Sequence, residues 1–298
     1  MTRQGLPDSS RWELTLNDPL YPASLKASPW PPKILYGFGD PTLFRAASLS
    51  IVGSRRATPY GTAAAERFGT WAGEHGVTVV SGAATGCDLT AQKAALQAGG
   101  VSIAVLGHGA DLDYPRSAAE VLSKLRVAGL VISEHPWGTT AQPWMFRARN
   151  RIIAGLSAAV LIVEAAMPSG TFSTADYALD AGRDVFAVPG SIFAPECRGP
   201  NRLIRQGATP ITDVNELRES LEELVGSLPR QSALGLCEPA ETRYPDDPVG
   251  RALIADPMRP DDVAWSLGMD ITDVIVTIAR LESEGVIRRY PGDRYGPC

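Results

Sequence analysis

The residues best suited to chemistry in this sequence are a group of arginines beside aromatic side chains. The stretch MFRARNRIIAGLSAAVLIVEA (145–165) contains three arginines within five residues and no acid before position 164, in a chain of net charge −5. Phe146 precedes the first arginine and Trp144 lies two residues earlier. Bases stack on aromatic rings and phosphates pair with arginine, so this combination is typical of single-stranded nucleic-acid binding. The alternative is that both aromatic side chains pack beneath the loop as core. The arginines are Arg147, Arg149 and Arg151, around Asn150.

Six short apolar runs predict the sheet that must position this group. They are continuous rather than alternating, as expected for strands buried on both faces. Helical periodicity separates them, which indicates a parallel sheet with helices on both faces and therefore an α/β, Rossmann-like fold. The predicted strands are 49–53, 77–81, 101–106, 130–134, 159–163 and 184–188.

Small residues follow several of these strands. In open α/β sheets, ligands bind beyond the carboxyl ends of the strands. Glycine and serine let a ligand approach backbone N–H groups, and helix N-termini favour anions. One such loop is equally compatible with an ordinary tight turn, but several on one edge predict a phosphate-binding rim. The loops begin at Gly53, Ser81, Gly107, Pro168 and Pro189.

The rest of the chain divides into smaller parts. Residues 1–48 form an N-terminal arm rich in proline and aromatic residues, and residues 49–226 form the Rossmann-like domain. Residues 227–247 carry three prolines, with a fourth at position 248, and show no periodicity, so they predict a linker. Residues 248–298 show three helical patterns and a final two-stranded element, the order of a winged helix.

Charge argues against duplex DNA as the main ligand of this winged helix. Residues 249–298 contain six basic and eight acidic residues. Phosphate neutralisation needs several exposed cations on one face. We therefore predict a protein-contact or self-regulatory module, with only a weak duplex contribution through Arg288 and Arg289.

Composition excludes several other classes. The sequence shows no signal peptide and no apolar run long enough to span a membrane, and its four cysteines are scattered. These features predict a reduced, cytoplasmic protein. No P-loop or nucleophile elbow is present, and the three histidines do not have metal-ligand spacing. We expect no metal, no cofactor and no catalysis. Asp88 and Asp176 lie near the rim, where each is expected to cap a helix.

Six motifs follow one another along the chain: IVGSRRATPYG (51–61), VVSGAATGCD (79–88), SEHPWGT (133–139), FRARNRIIAGLS (146–157), SGTFSTADYALDAGRDVFAVPGS (169–191) and GPNRLIRQGA (199–208). They occur in the order found in the DNA-processing protein A family (DprA/Smf), which the sequence resembles over residues 12 to about 225. The resemblance implies an extended Rossmann-like fold that dimerises, binds single-stranded DNA and loads the recombinase RecA during natural transformation or recombination.

The resemblance also implies roles for individual residues. Phe146 would stack on a base. One departure stands out: Thr85 and Cys87 replace an arginine and an isoleucine common in the family. The motif containing Asn201 and Arg202 suggests no role for either. The phosphate pocket would comprise Gly53, Ser54 and Arg55, with Ser81, Gly82, Ser169 and Gly170 as its walls, while Arg149, Asn150 and Arg151 would support or contact the DNA backbone.

Two other hypotheses use the same rim. Related Rossmann-like families hydrolyse nucleotide N-glycosidic bonds with a glycine-rich loop and a carboxylate, for which Glu164 or Asp176 is the candidate. That hypothesis ranks lower because Ser169 replaces a glycine, and residues 173–174 are Ser-Thr where the acid is expected. The other hypothesis is a sensor of a small nucleotide signal.

Overall fold

The computed structural model describes residues 11–228 and 245–297. Within these ranges the chain forms two compact units. The larger contains residues 11–57 and 64–228, and the smaller contains residues 245–297 together with 58–63. Most of the predicted linker, and the first ten residues of the predicted arm, lie outside the described residues.

The described part of the larger unit contains a nine-stranded sheet in the order β1-β2-β6-β5-β4-β3-β7-β8-β9. Strands β3 to β9 are parallel to their neighbours within this set. The six predicted strands are confirmed as β3 to β8, each within one residue at either end. The strands are β1 (Arg11–Thr15), β2 (Ile34–Gly39), β3 (Ser48–Val52), β4 (Thr78–Ser81), β5 (Ser102–Leu106), β6 (Leu130–Ser133), β7 (Ala159–Ile162), β8 (Asp184–Ala187) and β9 (Thr209–Pro210).

Helices cover both faces of the sheet, as the fold class predicts. In β5, Ile103 and Val105 pack into one apolar cluster while Ala104 and Leu106 pack into another. Since alternate residues of a strand point to opposite faces, both faces are buried. The helices are α1 (Ala23–Lys26), α2 (Pro59–Glu74), α3 (Cys87–Gln97), α4 (Ala119–Ala128), α5 (Pro143–Ala148), α6 (Asn150–Leu156), α7 (Thr171–Asp180), α8 (Arg198–Arg205) and α9 (Val214–Val225), with 3₁₀ turns at Pro41–Arg45, Arg116–Ala118 and Pro195–Cys197.

The N-terminal region differs from a separate arm. Its described part supplies β1 and β2, which are antiparallel to each other, and β2 is antiparallel to β6. The ring of Trp12 lies over β2, where a Cβ at Gly37 would be 2.3 Å from it. The indole Nε1 donates to the carbonyl of Gly39 at 2.7 Å. Glycine at 37 thus lets an aromatic side chain cover the sheet edge.

The smaller unit has the element order predicted for a winged helix. Val249, Val263, Val274 and Leu281 lie in its apolar core. Within residues 245–297 its elements are α10 (Pro248–Ala255), α11 (Pro260–Leu267), α12 (Ile271–Ser283), β10 (Ile287–Tyr290) and β11 (Arg294–Pro297), and the two strands are antiparallel.

Close packing of α2 on α3 spaces the loops that lead into these helices. A Cβ at Gly69 would lie 2.4 Å from the carbonyl oxygen of Ala91, and one at Gly73 would lie 2.5 Å from that of Ala95. Both helices follow strands whose carboxyl ends form the rim. The distance between the helices therefore fixes the distance between two rim loops.

We expect Gly69→Val to destabilise the larger unit by about 1–3 kcal/mol, because the added side chain overpacks a backbone contact. Thr70→Val is the matched control, since Thr70 is next to Gly69 but only half-buried. Urea unfolding followed by circular dichroism measures the difference. Equal stability of the two variants would contradict the close packing described.

Candidate nucleic-acid interface

A cavity of about 370 Å³ opens at the carboxyl ends of β3 and β7. From β3 the chain proceeds through β4, β5 and β6 in one direction, and β7 then returns to the other side of β3. This reversal is a topological switch point, where open α/β sheets bind ligands. Eight of the eleven predicted site residues line the cavity: Gly53, Ser54, Arg55, Phe146, Arg149, Asn150, Ser169 and Gly170.

Two glycines bring the loops after β3 and β4 together. A Cβ at Gly53 would lie 2.7 Å from the sulfur of Cys87. Gly86 has φ +91°, and a Cβ there would lie 2.2 Å from the carbonyl oxygen of Ser54. That carbonyl also accepts a hydrogen bond from the N–H of Cys87 at 3.2 Å. Cys87, where the family usually has isoleucine, therefore packs against the loop that begins the pocket.

Asp88 joins the same two loops from inside. Its carboxylate accepts hydrogen bonds from the backbone N–H groups of Gly53 at 3.3 Å and Gly82 at 3.1 Å. The expectation that Asp88 caps its own helix is wrong, since the N-cap of α3 is Gly86 and no side chain caps it. The carboxylate is used to hold loop backbone in place.

Arg149 lies behind the loops, with only 4% of its surface exposed. Its guanidinium donates to the carbonyl of Val105 and, through Nε, to Oδ1 of Asn150 at 3.1 Å. A Cβ at Gly82 would lie 1.9 Å from this guanidinium, so only glycine leaves room for it. Arg149 therefore supports the site as expected, but its charged end is buried rather than on the protein surface.

Burial shifts the pKa values of both charged groups, Arg149 and Asp88. It lowers the pKa of Arg149 to about 10, so the guanidinium stays protonated at neutral pH. Burial raises the pKa of Asp88, and the charge of Arg149 opposes that rise. The two groups are thus buried opposite charges that influence each other's pKa, although they form no direct ion pair.

Arg151 forms an ion pair within the protein. Its Nη2 lies 2.6 Å from Oε2 of Glu134, and both side chains are largely buried. Arg151 does not line the cavity, and neither do Ser81 and Gly82. Ser81 is fully buried and donates from Oγ to the carbonyl of Ile51 at 2.6 Å. Ser81 and Gly82, expected as walls of the pocket, and Arg151, expected to support or contact the DNA backbone, therefore lie behind the residues that line the cavity.

The accessible cations of the cavity are Arg55, Arg56 and Arg147. All three side chains are exposed, and none forms an ion pair with a described residue. Of the three, only Arg55 is predicted as a site residue from the sequence. Arg147 belongs to the arginine group, but sequence spacing does not reveal that it is the exposed member.

One aromatic ring, that of Phe146, lines the cavity, and a second, that of Tyr114, lies beside Phe146 outside the lining. The guanidinium of Arg55 lies 5.4 Å from the centre of the Phe146 ring, and the ring of Tyr114 lies 5.8 Å from Phe146 at 32°. Tyr114 is half-exposed and has no sequence signal that links it to Phe146. Trp144 is 60% exposed, so the hypothesis that it packs as core is wrong.

His108 positions Tyr114 rather than acting as a base. Its ring nitrogens lie 3.0 Å from the carbonyl of Gly109 and 3.1 Å from that of Tyr114. Burial lowers the pKa of His108, which favours the neutral ring. A neutral histidine donates through one nitrogen only, so it holds the loop through a single N–H.

The loop after β7 completes the cavity. The Oγ of Ser169 accepts from the N–H of Thr171 at 3.1 Å, just where α7 begins. Asn150 donates to Oγ of Ser173 at 2.9 Å and so ties α6 to α7. The unpaired N–H groups of a helix N-terminus, such as that of α7, attract anions.

Carboxylates are nearly absent from this cavity. Of the described residues that line it, Asp88 is the only acid. Glu164 is fully buried outside the lining, and Asp176 is exposed on α7. Among the described residues, no group of three or more histidine, cysteine or acidic side chains has the arrangement of a metal site.

Asn201, in the motif of residues 199–208, has a structural role. Asn201 donates from Nδ2 to the carbonyl of Gly190 at 2.9 Å and accepts from its N–H at 3.2 Å. These paired bonds fix the loop that follows β8. Arg202 is exposed on α8, and nothing in the structure assigns it a role.

The chain thus has a Rossmann-like α/β fold with a cavity at its switch point that is lined by several arginines. The model of the family described as DNA recombination-mediator protein A matches residues 12–222. The chain belongs to this family, the DNA-processing protein A family, which confirms the resemblance found in the sequence.

Curated relatives support the assignment. Protein Smf of Escherichia coli is 38% identical over 282 residues, which are 91% of this chain and 74% of that protein. DNA processing protein DprA of Bacillus subtilis is 39% identical over 204 residues, 68% of this chain and 69% of that protein.

Solved structures agree with the fold. DprA of Streptococcus pneumoniae superposes with a TM-score of 0.67 at 36% identity, covering 72% of this chain and 74% of that one. DprA of Helicobacter pylori gives 0.64 at 30% identity, covering 71% and 96%, and its structure is described as showing a single-stranded DNA binding mode.

We expect Arg149→Met to destabilise the protein by about 3–5 kcal/mol, because it leaves the buried Asp88 without its opposite charge. The pKa of Asp88, already raised by burial above its ordinary 3.8, should rise further. A carboxyl group with a raised folded-state pKa destabilises the fold increasingly as pH rises from its ordinary pKa through the folded one. The variant should therefore regain part of its lost stability between pH 7 and pH 5.

Urea unfolding at several pH values measures this effect, and the exposed Arg147→Met is the matched control. A loss that does not change with pH, or that equals the loss in the control, would contradict the electrostatic interaction between Arg149 and Asp88.

Proposed function

We propose that this protein binds single-stranded DNA at the switch-point cavity and acts as a recombination mediator. The observation that carries the proposal is the group formed by Arg55, Phe146 and Tyr114 beside the exposed Arg56 and Arg147. It combines cations for phosphates with rings for bases, and such pairing tolerates any sequence.

The cavity suggests how a strand would lie. A phosphate would meet the loop of Gly53, Ser54 and Arg55 and the start of α7 near Ser169 and Gly170. The adjacent base would stack on the accessible faces of Phe146 and Tyr114. Arg147 adds a positive charge at the mouth of the cavity. This charge is available in a chain that has Thr85 at the position where the family usually has an arginine. The residues that would keep these groups in place from behind are Ser81, Gly82, Arg149, Asn150 and Arg151.

Binding rather than catalysis is part of the proposal. Asp88 already accepts two backbone hydrogen bonds, and the acids required by the N-glycosidic hydrolase hypothesis do not line the cavity. A nucleotide sensor would use the same cations but would need no stacking platform for successive bases. The two adjacent rings therefore favour a strand over a mononucleotide.

We expect Phe146→Ala to weaken binding of a labelled oligo-dT by about 1–3 kcal/mol, roughly 5- to 150-fold, because a base no longer stacks on the ring. Arg55→Ala should weaken binding and also reduce the slope of log K against log salt by about 0.7 for each phosphate that the variant no longer neutralises. Fluorescence anisotropy at several salt concentrations, with duplex competitor, measures both.

Arg45→Ala is the control, since Arg45 is exposed at the opposite edge of the sheet, before the amino end of β3. If Arg45→Ala weakens binding as much as Arg55→Ala does, the cavity is not the DNA site. If oligo-dT fails to bind while a mononucleotide binds, the sensor hypothesis replaces this one.

We also propose that the protein is cytoplasmic, forms a homodimer through its larger unit and loads RecA onto the strands that it binds, in transformation or in general recombination. Family membership supports these points. Within the described ranges, every helix is too short or too polar to cross a lipid bilayer.

RecA loading predicts a specific rate effect. On single-stranded DNA already covered by a single-strand-binding protein, the wild type should accelerate DNA-dependent ATP hydrolysis by RecA several-fold. Arg55→Ala should fail to do so at the same concentration, and Arg45→Ala should act like the wild type. Normal DNA binding without acceleration would refute loading, and light scattering tests for a mass of twice 31.7 kDa.

A further inference from the structure

The outward face of α12 is partly apolar. Val274, Ile278 and Leu281 point into the core of the smaller unit. On the opposite side of the helix, Ile275 is half-exposed and Val276 is 64% exposed. These two residues stand near the middle of the helix that a winged helix places in the major groove. The face that would read DNA therefore presents two exposed aliphatic side chains, Ile275 and Val276, beside the exposed Thr272, Ala279 and Arg280.

A third exposed apolar side chain, Trp265, stands on α11, the helix that packs against α12. Its side chain is 88% exposed. A tryptophan in water leaves a large apolar area unburied, and tryptophan is enriched among residues that dominate the affinity of protein interfaces. We call Trp265, Ile271, Ile275 and Val276 the apolar face.

Three of the six arginines among residues 245–297, Arg251, Arg280 and Arg289, form ion pairs with neighbouring acids. Arg280, at the end of α12, lies 3.0 Å from Asp247 and 3.2 Å from Glu284. Arg289 is paired with Asp293. Phosphate binding needs exposed cations on one face, so this surface does not suit duplex DNA.

Acidic side chains begin both helices of the apolar face. Asp261 and Asp262 stand in the first turn of α11, and Asp273 stands in the first turn of α12. Asp270 caps α12 by accepting from the N–H of Thr272 at 2.8 Å. None of the four forms an ion pair with a described residue. Residues 245–297 contain six arginines, no lysine and ten acids, so the unit as a whole is negative.

We propose that the apolar face docks a basic, amphipathic segment of another protein. Its apolar side chains would cover Trp265, Ile275 and Val276, and its lysine or arginine residues would meet the four aspartates. Charge distinguishes this ligand from two other possible occupants of the apolar face, duplex DNA and a second copy of the same face. Both carry negative charge, so the four aspartates would repel them. This inference does not depend on the single-stranded DNA site.

The test uses the full chain and a library of random 16-residue peptides displayed on phage. Selection on the wild type is preceded by depletion on a Trp265→Ser/Val276→Ser variant. Enriched sequences should combine apolar residues with net positive charge. The corresponding synthetic peptides should bind Trp265→Ser at least tenfold more weakly than the wild type, and added salt should weaken their binding.

Val127→Ser is the matched control, because Val127 is an exposed aliphatic residue on α4 of the larger unit. Circular dichroism verifies that the variants fold. The proposal is overturned if enriched peptides are neutral or acidic, if nothing survives depletion, or if Trp265→Ser reduces duplex affinity. The affinity for oligo-dT should be unchanged in Trp265→Ser. The peptide assay therefore tests the apolar face, and the oligo-dT assay tests the single-stranded DNA site independently of it.

Discussion

The geometry of the rim depends on two buried groups of opposite charge, Arg149 and Asp88. The carboxylate holds backbone N–H groups after β3 and β4, and the guanidinium holds the carbonyl of Val105 at the end of β5. Removing two charges from water costs several kcal/mol per ion, and their mutual attraction offsets this only if their remaining hydrogen bonds are satisfied. The loops supply those bonds. Loop conformation and burial of the pair therefore require each other, and the positions of the accessible residues depend on both.

This constraint explains why three nearby arginines have three different environments. Helix α5 ends at Ala148 and α6 begins at Asn150, so the helix breaks within the group. Arg147 faces solvent, Arg149 points inward, and Arg151 pairs with Glu134. The local positive charge in the sequence is largely compensated in the folded chain. What remains accessible is a small cationic mouth formed mainly by Arg55, Arg56 and Arg147.

The local sequence pattern is sufficient to predict the parallel strands, but it does not predict the contacts between residues of the site. Continuous apolar runs predict β3 to β8 because burial on both faces leaves no polar alternation. Strands β1 and β2 escape that rule because they are only partly buried at the antiparallel edge of the sheet, where Trp12 packs over Gly37. In the site, motifs near strand ends are enough to predict Arg55 and Phe146. The place of Tyr114 beside Phe146 brings together residues 32 positions apart in the chain, and the burial of Arg149 near Asp88 brings together residues 61 positions apart. Sequence periodicity carries no information on contacts over such separations.

The two units use electrostatics in opposite ways. In the larger unit, acids are turned inward at the cavity, so that few cations produce a positive site on a chain of net charge −5. In the smaller unit, Arg251, Arg280 and Arg289 form ion pairs with neighbouring acids, whereas the aspartates at the starts of α11 and α12 form no ion pair with a described residue. Each arrangement would disfavour the ligand proposed for the other, since a strand of phosphates would be repelled by the aspartates and a basic peptide by the arginine mouth. Specificity for the two proposed partners would then follow from which charges each unit leaves unpaired, rather than from its net composition.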